Sequence, residues 1–454
     1  LESLSNRVGA AALPHQEEPA REVPVDGARG ARLGRAWCGG PALGPARAAE
    51  YEHGSERERG ACEHVGTIPE RTPGTPPLYG APVRAHCCAK SMSDAFRIPE
   101  PADLLNHGCA CRFTDASALD TVLGEGQDEA FASAVHAAAP HLFASQPVFV
   151  TDAERASMAA VVKAVERVTA LASYRARALE GAAALAHVDH GERGVLFGYD
   201  FHLGVDGPKL IEINTNAGGI LLALALARAQ VPCCEAVDHA FAIPSALDAL
   251  PDALCAMFVS EHGRVFGDRP LTHVAIVDES PETQFLAPEF TLFARLFASH
   301  GIRASILAPE ALTFAEGRLR APDGSPIDLV YNRLTDFTFA DSRLAPIVEA
   351  YEARAIALTP NPRAHALFAD KARLVLLSDR DALLSLGASA EDAALLAHAI
   401  PTTRHVQGPD AAKWWADRKS WFFKPRDGYG SRAAYRGDKL TKRVWEEIVA
   451  GDVA

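Results

Sequence analysis

From Glu154 to Leu185 apolar residues return at helical spacing, with Met158, Val161, Val162, Val165, Val168 and Leu171 along one stripe, so this stretch predicts a packed helical layer. The period then changes. Residues 195–203 (VLFGYDFHL) and 209–214 (KLIEIN) are β-prone runs on either side of the turn signal Val205-Asp206-Gly207-Pro208, which predicts a hairpin. The apolar run 273–277, an amphipathic helix near 289–300 and extended runs at 302–307 and 327–331 predict a βαβ-type unit. The final section reads as a helix over 363–377, an apolar strand over 421–425, a glycine-containing loop and a helix over 439–449. A mixed α/β (α+β) protein is expected. Its parts are a helical layer with the hairpin over 92–265, an α/β domain over 266–362, and a lysine- and glycine-bearing section over 363–454.

Residues 1–91 show no sustained apolar period, are dense in Gly, Pro, Arg and Ala, and predict a disordered or non-native N-terminal extension, with Met92 as the expected true start. Across 454 residues the formal charge is -13, which would repel a polyanionic backbone, so nucleic acid is not an expected partner. The longest apolar run, Ile220 to Ala227, is far shorter than the roughly 20 residues of a bilayer span, so no membrane is expected either. Nine cysteines in a chain of this length read as reduced thiols of a cytoplasmic protein. Cys109 and Cys111 near His107 lack a second ligand pair for zinc and read as buried or incidental thiols.

If residues 204–208 form the hairpin loop, residue 203 faces 209, Asp200 lies opposite Glu212, and Gly198 lies opposite Asn214. Strand alternation then sends Ile211 and Ile213 toward the core and Glu212 and Asn214 to the other face. Facing carboxylates repel unless a cation lies between them, and hard oxygen donors on a rigid sheet suit magnesium shared with phosphates. A hairpin whose polar face is merely solvated has the same spacing. Downstream, Lys424 ends an apolar strand and precedes Pro425-Arg-Asp-Gly-Tyr-Gly-Ser431, where Gly428 and Gly430 would let backbone N–H groups approach phosphate oxygens beside a lysine point charge. The pattern is neither a Walker A sequence nor a dinucleotide fingerprint, and a plain strand-turn-helix could also carry it.

Asp200 followed by Leu210-Ile-Glu-Ile-Asn-Thr-Asn-Ala-Gly-Gly219 resembles the metal-binding strand of ATP-grasp enzymes, most closely the eukaryotic-type glutathione synthetases. The Lys424-Pro425 segment resembles the lysine strand and glycine loop of the same superfamily, and Asn361-Pro-Arg-Ala-His-Ala-Leu-Phe-Ala-Asp-Lys371 resembles the entry into its nucleotide domain. The resemblance implies Asp200, Glu212, Asn214 and Asp427 as magnesium ligands. It implies Lys371, Lys424, Gly428, Gly430 and Ser431 as ATP contacts. Asp328-Leu-Val-Tyr-Asn-Arg333 resembles the end of the preceding substrate domain, and Arg333 would either grip a substrate carboxylate or serve as a structural ion-pair partner.

Glu212 precedes Lys424, the reverse of the usual ATP-grasp order, so the resemblance implies a circularly permuted ATP-grasp fold with an inserted βαβ substrate-type domain. It also implies further strands after the glycine loop. The residues following Ser431 are too few to supply them, and a domain that breaks off before completion is expected. Gly198 stands where glutathione synthetases carry an arginine that helps hold their dipeptide, which points away from glutathione itself. The implied activity is ATP- and magnesium-dependent ligation of a small carboxylate to an amine through an acylphosphate. An ATP-grasp phosphotransferase and a non-catalytic ATP-grasp module are the other readings.

Overall fold

The computed structural model describes Asn106 and residues 112–124, 131–133, 135, 142–144, 147–232, 247–406, 410–426 and 434–450. Asp427, Gly428, Gly430 and Ser431 lie outside the described residues, as do residues 1–91, His107, Cys109 and Cys111. The chain is a mixed α and β protein. Strand β1 (Arg112–Thr114) and helix α1 (Ala116–Gly124) come first, and Leu119 and Leu123 of α1 share a small core with Ala225 and Ala229.

The predicted helical layer is made of two helices, α2 (Asp152–Thr169) and α3 (Ala172–Leu179). The start of α2 is fixed by a capping box, in which the Thr151 side chain accepts from the Glu154 N–H and Glu154 reaches back to the Thr151 backbone. Next comes the hairpin, β2 (Gly198–Gly204) and β3 (Gly207–Asn214), followed by helix α4 (Ile220–Arg228) and strand β4 (Gln230–Pro232), which pairs antiparallel with β1.

Helix α5 (Leu250–Phe266) leads into β5 (His273–Val277), α6 (Ala287–Ser299) and β6 (Arg303–Leu307), and a small hairpin follows from β7 (Thr313–Ala315) and β8 (Arg318–Arg320). Strand β9 (Leu329–Asn332), helix α7 (Ala345–Glu352) and strand β10 (Ala357–Thr359) complete a parallel sheet ordered β10-β9-β5-β6. All five residues of β5 are buried, because Val274 and Ile276 pack with α5 and α6 while Ala275 and Val277 pack with α7 on the other face. Asp328 anchors the start of β9 by accepting from Arg269, from the Thr272 hydroxyl and from the Thr272 and His273 N–H groups.

The helix expected over 363–377 is interrupted. A π-helix covers His365–Ala369, Asp370 leaves helical geometry at ψ 116°, and α8 (Ala372–Leu377) begins afresh with Asp370 Oδ1 accepting from the Ala372 N–H at 2.9 Å. Helices α9 (Arg380–Ser385) and α10 (Ala390–Ala399) follow. These helices share one core with α2, α3 and the hairpin: Leu210 and Ile213 pack among Val161, Val165, Leu367, Leu377 and Leu396. The hairpin is therefore enclosed by helices drawn from before and after the parallel sheet. Residues 410–426 and 434–450 form a separate aromatic core of Phe423, Leu440 and Trp445 around α11 (Ala411–Asp417), β11 (Phe422–Phe423), β12 (Tyr435–Arg436) and α12 (Lys442–Ala450).

Candidate functional site

The hairpin pairs Asp200 with Glu212 and Gly198 with Asn214, the register expected from the sequence, but it gets there differently. The turn is shorter than supposed, with only Val205 and Asp206 between Gly204 and Gly207, so Leu203 faces Pro208 instead of Lys209. Neither turn residue has a positive φ, and Gly207 takes that conformation at φ 85°. A bulge then adds one residue to β3 between the Leu210 and Glu212 pairs and restores the register. The extra residue is Ile211. Its side chain is only partly buried, and Leu210 takes the core position that strict alternation would give it.

Glu212 is the meeting point of three chain segments. Lys371 Nζ lies 3.2 Å from Glu212 Oε1, and Lys424 Nζ lies 3.3 Å from Oε2. Across the hairpin, Asn214 Nδ2 donates to Asp200 Oδ2 at 3.2 Å. Each lysine stands at a position its local sequence dictates. Lys371 follows the Asp370 break and precedes α8, while Lys424 sits between β11 and Pro425, where a residue before proline is held extended. The Lys424 ammonium also lies 5.9 Å from the Phe422 ring centroid.

The two lysine segments are joined by a contact that nothing in the sequence pattern announced. Arg426 Nε donates to Asp370 Oδ1 at 3.1 Å and Arg426 Nη2 to Asp370 Oδ2 at 2.6 Å. Asp370 is buried, and burial works to raise its pKa. The Arg426 hydrogen bonds, the Ala372 N–H and the charges of Arg373 and Arg426 outweigh it and hold the carboxyl below the usual aspartate range. His365, at the start of the π-helix, stacks on Phe337 with ring centroids 4.2 Å apart, and burial pushes its pKa down to about 4. The histidine is therefore neutral beside this cationic corner at ordinary pH.

Arg333 is buried, with Nη1 bonded to the backbone and Nε without a hydrogen-bond partner. Its Nη1 donates to the Asn216 and Ala217 carbonyls, each at 3.0 Å, in the loop that leaves β3. Glu289 grips the other side of that loop, its carboxylate accepting from the Gly219 N–H and, at 3.1 Å, from the Leu221 N–H at the start of α4. Burial raises the Glu289 pKa, opposed by the Gly219 N–H and by the charge of Arg333. Arg333 Nη1 is committed to this loop, and no ion pair to Arg333 is formed among the described residues. Gly218 lies inside this clamp, where an added Cβ would come within 2.5 Å of Leu286 Cδ1 and 2.6 Å of Arg333 Nη2. Glu289 and Arg426 are the residues that sequence reasoning missed.

The clamp brings the loop 215–219 against the carboxyl edge of the parallel sheet, where Asp278 and Arg333 follow the last residues of β5 and β9 and where open α/β sheets place their ligands. The Arg333 N–H donates to the Val277 carbonyl at 2.8 Å, and Asn216 Nδ2 donates to the Leu334 carbonyl at 3.2 Å. Burial pushes the Asp278 carboxyl up to about 6, with the Glu279 N–H and the Arg333 charge acting against it.

Two carboxylates and an amide on paired strands fit a hard divalent cation by donor chemistry. Among the described residues no group of three His, Cys, Asp or Glu side chains is gathered to hold a metal. Such a cation would need further oxygens, which a polyphosphate carries. Gly198 packs against the loop, since a Cβ there would lie 3.1 Å from Ala217 Cβ, a contact relieved only if the loop gives by a few tenths of an ångström. Among the described residues no helix is long and apolar enough to cross a membrane.

No protein-family model matches the chain, and no curated protein sequence matches it. Among solved structures, a glutathione synthetase-like effector from Globodera pallida in its apo form is similar at 16% identity and a TM-score of 0.39, over 63% of this chain and 71% of that one. A likeness of that extent leaves the function to be argued from the site.

Proposed function

We propose that this chain is an ATP- and magnesium-dependent carboxylate–amine ligase built on a circularly permuted ATP-grasp domain. The observation that carries the reading is the convergence of Lys371 and Lys424 on Glu212, directly across the hairpin from Asp200. Three motifs far apart in sequence, each with its own resemblance to a nucleotide or metal segment, meet at one carboxylate. A solvated hairpin face would have no reason to gather them.

In this reading Asp200, Glu212 and Asn214 hold magnesium, with Asp427 as a further ligand. Bound there, magnesium would draw charge from the terminal phosphate oxygens. Lys371 and Lys424 turn from Glu212 to the phosphates and neutralise them as a substrate carboxylate oxygen attacks the γ-phosphorus and ADP leaves. An amine nitrogen then attacks the acyl carbon, loses its proton and displaces phosphate, giving an amide. Gly428, Gly430 and Ser431 supply backbone N–H groups to the phosphates, and Arg426 on Asp370 keeps the two lysines in register. Arg333 acts as a positioning residue that holds the loop 215–219 after β3. Gly198 argues for an acid other than the glutathione precursor.

The test is to incubate the full chain with magnesium, ATP and hydroxylamine against pools of amino-acid and dipeptide carboxylic acids. The ligase reading predicts ADP and a hydroxamate together. ADP with a phosphorylated hydroxyl acceptor and no hydroxamate would indicate phosphotransfer instead, and no nucleotide consumption with any pool would overturn catalysis.

A further inference from the structure

Both oxygens of Glu212 are already taken by cations: Lys371 faces Oε1 and Lys424 faces Oε2. Asp200, its partner across the hairpin, is hydrogen-bonded to Asn214. At Glu212 one carboxylate thus stands against two ammonium groups. A divalent cation arriving alone would have to displace both ammonium groups from Glu212. It would then face them at short range with no added anion to balance the charge. No third acidic, histidine or cysteine side chain among the described residues joins Asp200 and Glu212 as a metal ligand. A polyphosphate changes the balance, since its oxygens accept both lysines while the freed carboxylate turns to the metal.

We propose that this arrangement is an interlock: the two lysines close the Glu212 position to free divalent cations, and polyphosphate opens it. The inference rests on the nucleotide reading above and adds to it the order in which the site fills. Metal and nucleotide are then coupled with positive sign, and linkage makes the coupling reciprocal, so each raises the affinity for the other by the same factor. The lysines acquire effects of opposite sign on the two ligands. They oppose the metal when it comes alone and favour the metal–nucleotide complex. A lysine that only stiffened the fold would shift both affinities in the same direction.

Manganese provides a probe, because its free-ion electron paramagnetic resonance signal reports binding without turnover. Manganese alone is titrated into the full chain, into Lys424→Met and into Lys371→Met. In parallel, binding of β,γ-imido-ATP is measured by calorimetry at saturating manganese. The interlock predicts weak binding of manganese alone to the parent. It predicts tightening by about fivefold or more in either variant, the lower end of typical coupling, and a weakening of imido-ATP binding by a similar factor. Adding Glu212→Gln to Lys424→Met should abolish the gain, which locates the metal. Lys424→Gln, with melting temperature as the check on folding, replaces the methionine variant if that one fails to fold. Manganese affinity that is unchanged or weaker in the lysine variants, with imido-ATP still bound by the parent, would overturn the interlock alone. Absence of imido-ATP binding to the parent would overturn the nucleotide reading on which it rests.

Discussion

Arg426 and Asp370 are joined by three hydrogen bonds, 3.1, 3.2 and 2.6 Å long, and through them the segment that carries Lys424 is tied to the turn that carries Lys371. Asp370 is buried and Arg426 is not, so the aspartate is the fixed point and the arginine the strap. Arg426→Ala is expected to leave both lysines in place but loosen their spacing. The apparent affinity for a non-hydrolysable ATP analogue should fall roughly tenfold, the effect of about 1.5 kcal/mol of charge-assisted hydrogen bonding. Arg426→Lys should recover only part of the loss, because one ammonium cannot span both carboxylate oxygens as the guanidinium does. Calorimetry on the three proteins checks this, and equal affinities would show that the strap has no role.

The clamp on the loop 215–219 makes a prediction about stability without any ligand. Arg333→Met removes the donor to the Asn216 and Ala217 carbonyls and strips the buried Glu289 of a balancing charge. A melting temperature lower by several degrees is expected, from about 2–4 kcal/mol of lost hydrogen bonding and charge compensation. Gly218→Ala should destabilise by about 1–3 kcal/mol, since its methyl would run into Leu286 and Arg333. An arginine reserved for substrate would leave the ligand-free melting temperature unchanged.

Glu192 sets a pH dependence outside the site. It is buried, accepts from the N–H of Leu358 on the edge strand β10 at 3.4 Å, and has no partner for Oε2. Burial raises its pKa from 4.5 to about 7, opposed by those backbone N–H groups and reinforced by Glu261 and Asp189. Below about pH 4.5 the folded and unfolded chains both hold this proton. Between 4.5 and about 7 only the folded chain holds it, so rising pH favours unfolding, and above 7 the loss is complete at about 3 kcal/mol. Glu192→Gln should therefore raise the melting temperature at pH 8 and leave it nearly unchanged at pH 4.5. A gain that is the same at both pH values would show that ionisation is not its source.

Periodicity and turn chemistry made the elements legible, since alternation, helical stripes and the Gly207 turn each leave a local mark in the chain. The pairing of Asp200 with Glu212 could be read for the same reason, although a shorter turn and a bulge at Ile211 offset each other to produce it. A bulge has no signature in a run such as Lys-Leu-Ile-Glu-Ile, where either Leu210 or Ile211 could face the core. The break at Asp370 was hidden because Ala364 to Leu377 is apolar at helical spacing on both sides of it. Lys424 was marked by its place between an apolar strand and two glycines, whereas Lys371 was legible only through motif resemblance. The Arg426–Asp370 and Glu289–Gly219 contacts were not legible at all, since a pairing across 56 or 70 residues leaves no periodic trace.

The central claim is that Glu212 serves a metal bound with a nucleotide, and Glu212→Gln tests it most directly because it removes the charge and keeps the shape. Binding of β,γ-imido-ATP to the full chain is measured by calorimetry with and without magnesium, alongside magnesium-dependent ATP turnover. In the parent, magnesium should strengthen binding. In Glu212→Gln the lysines are released to the phosphates, so the magnesium dependence of binding should vanish. Turnover should fall by about 30- to 1000-fold, equivalent to about 2–4 kcal/mol of lost transition-state stabilisation. A Glu212→Gln protein whose nucleotide binding still strengthens with magnesium as the parent's does, and whose turnover is intact, would contradict the account.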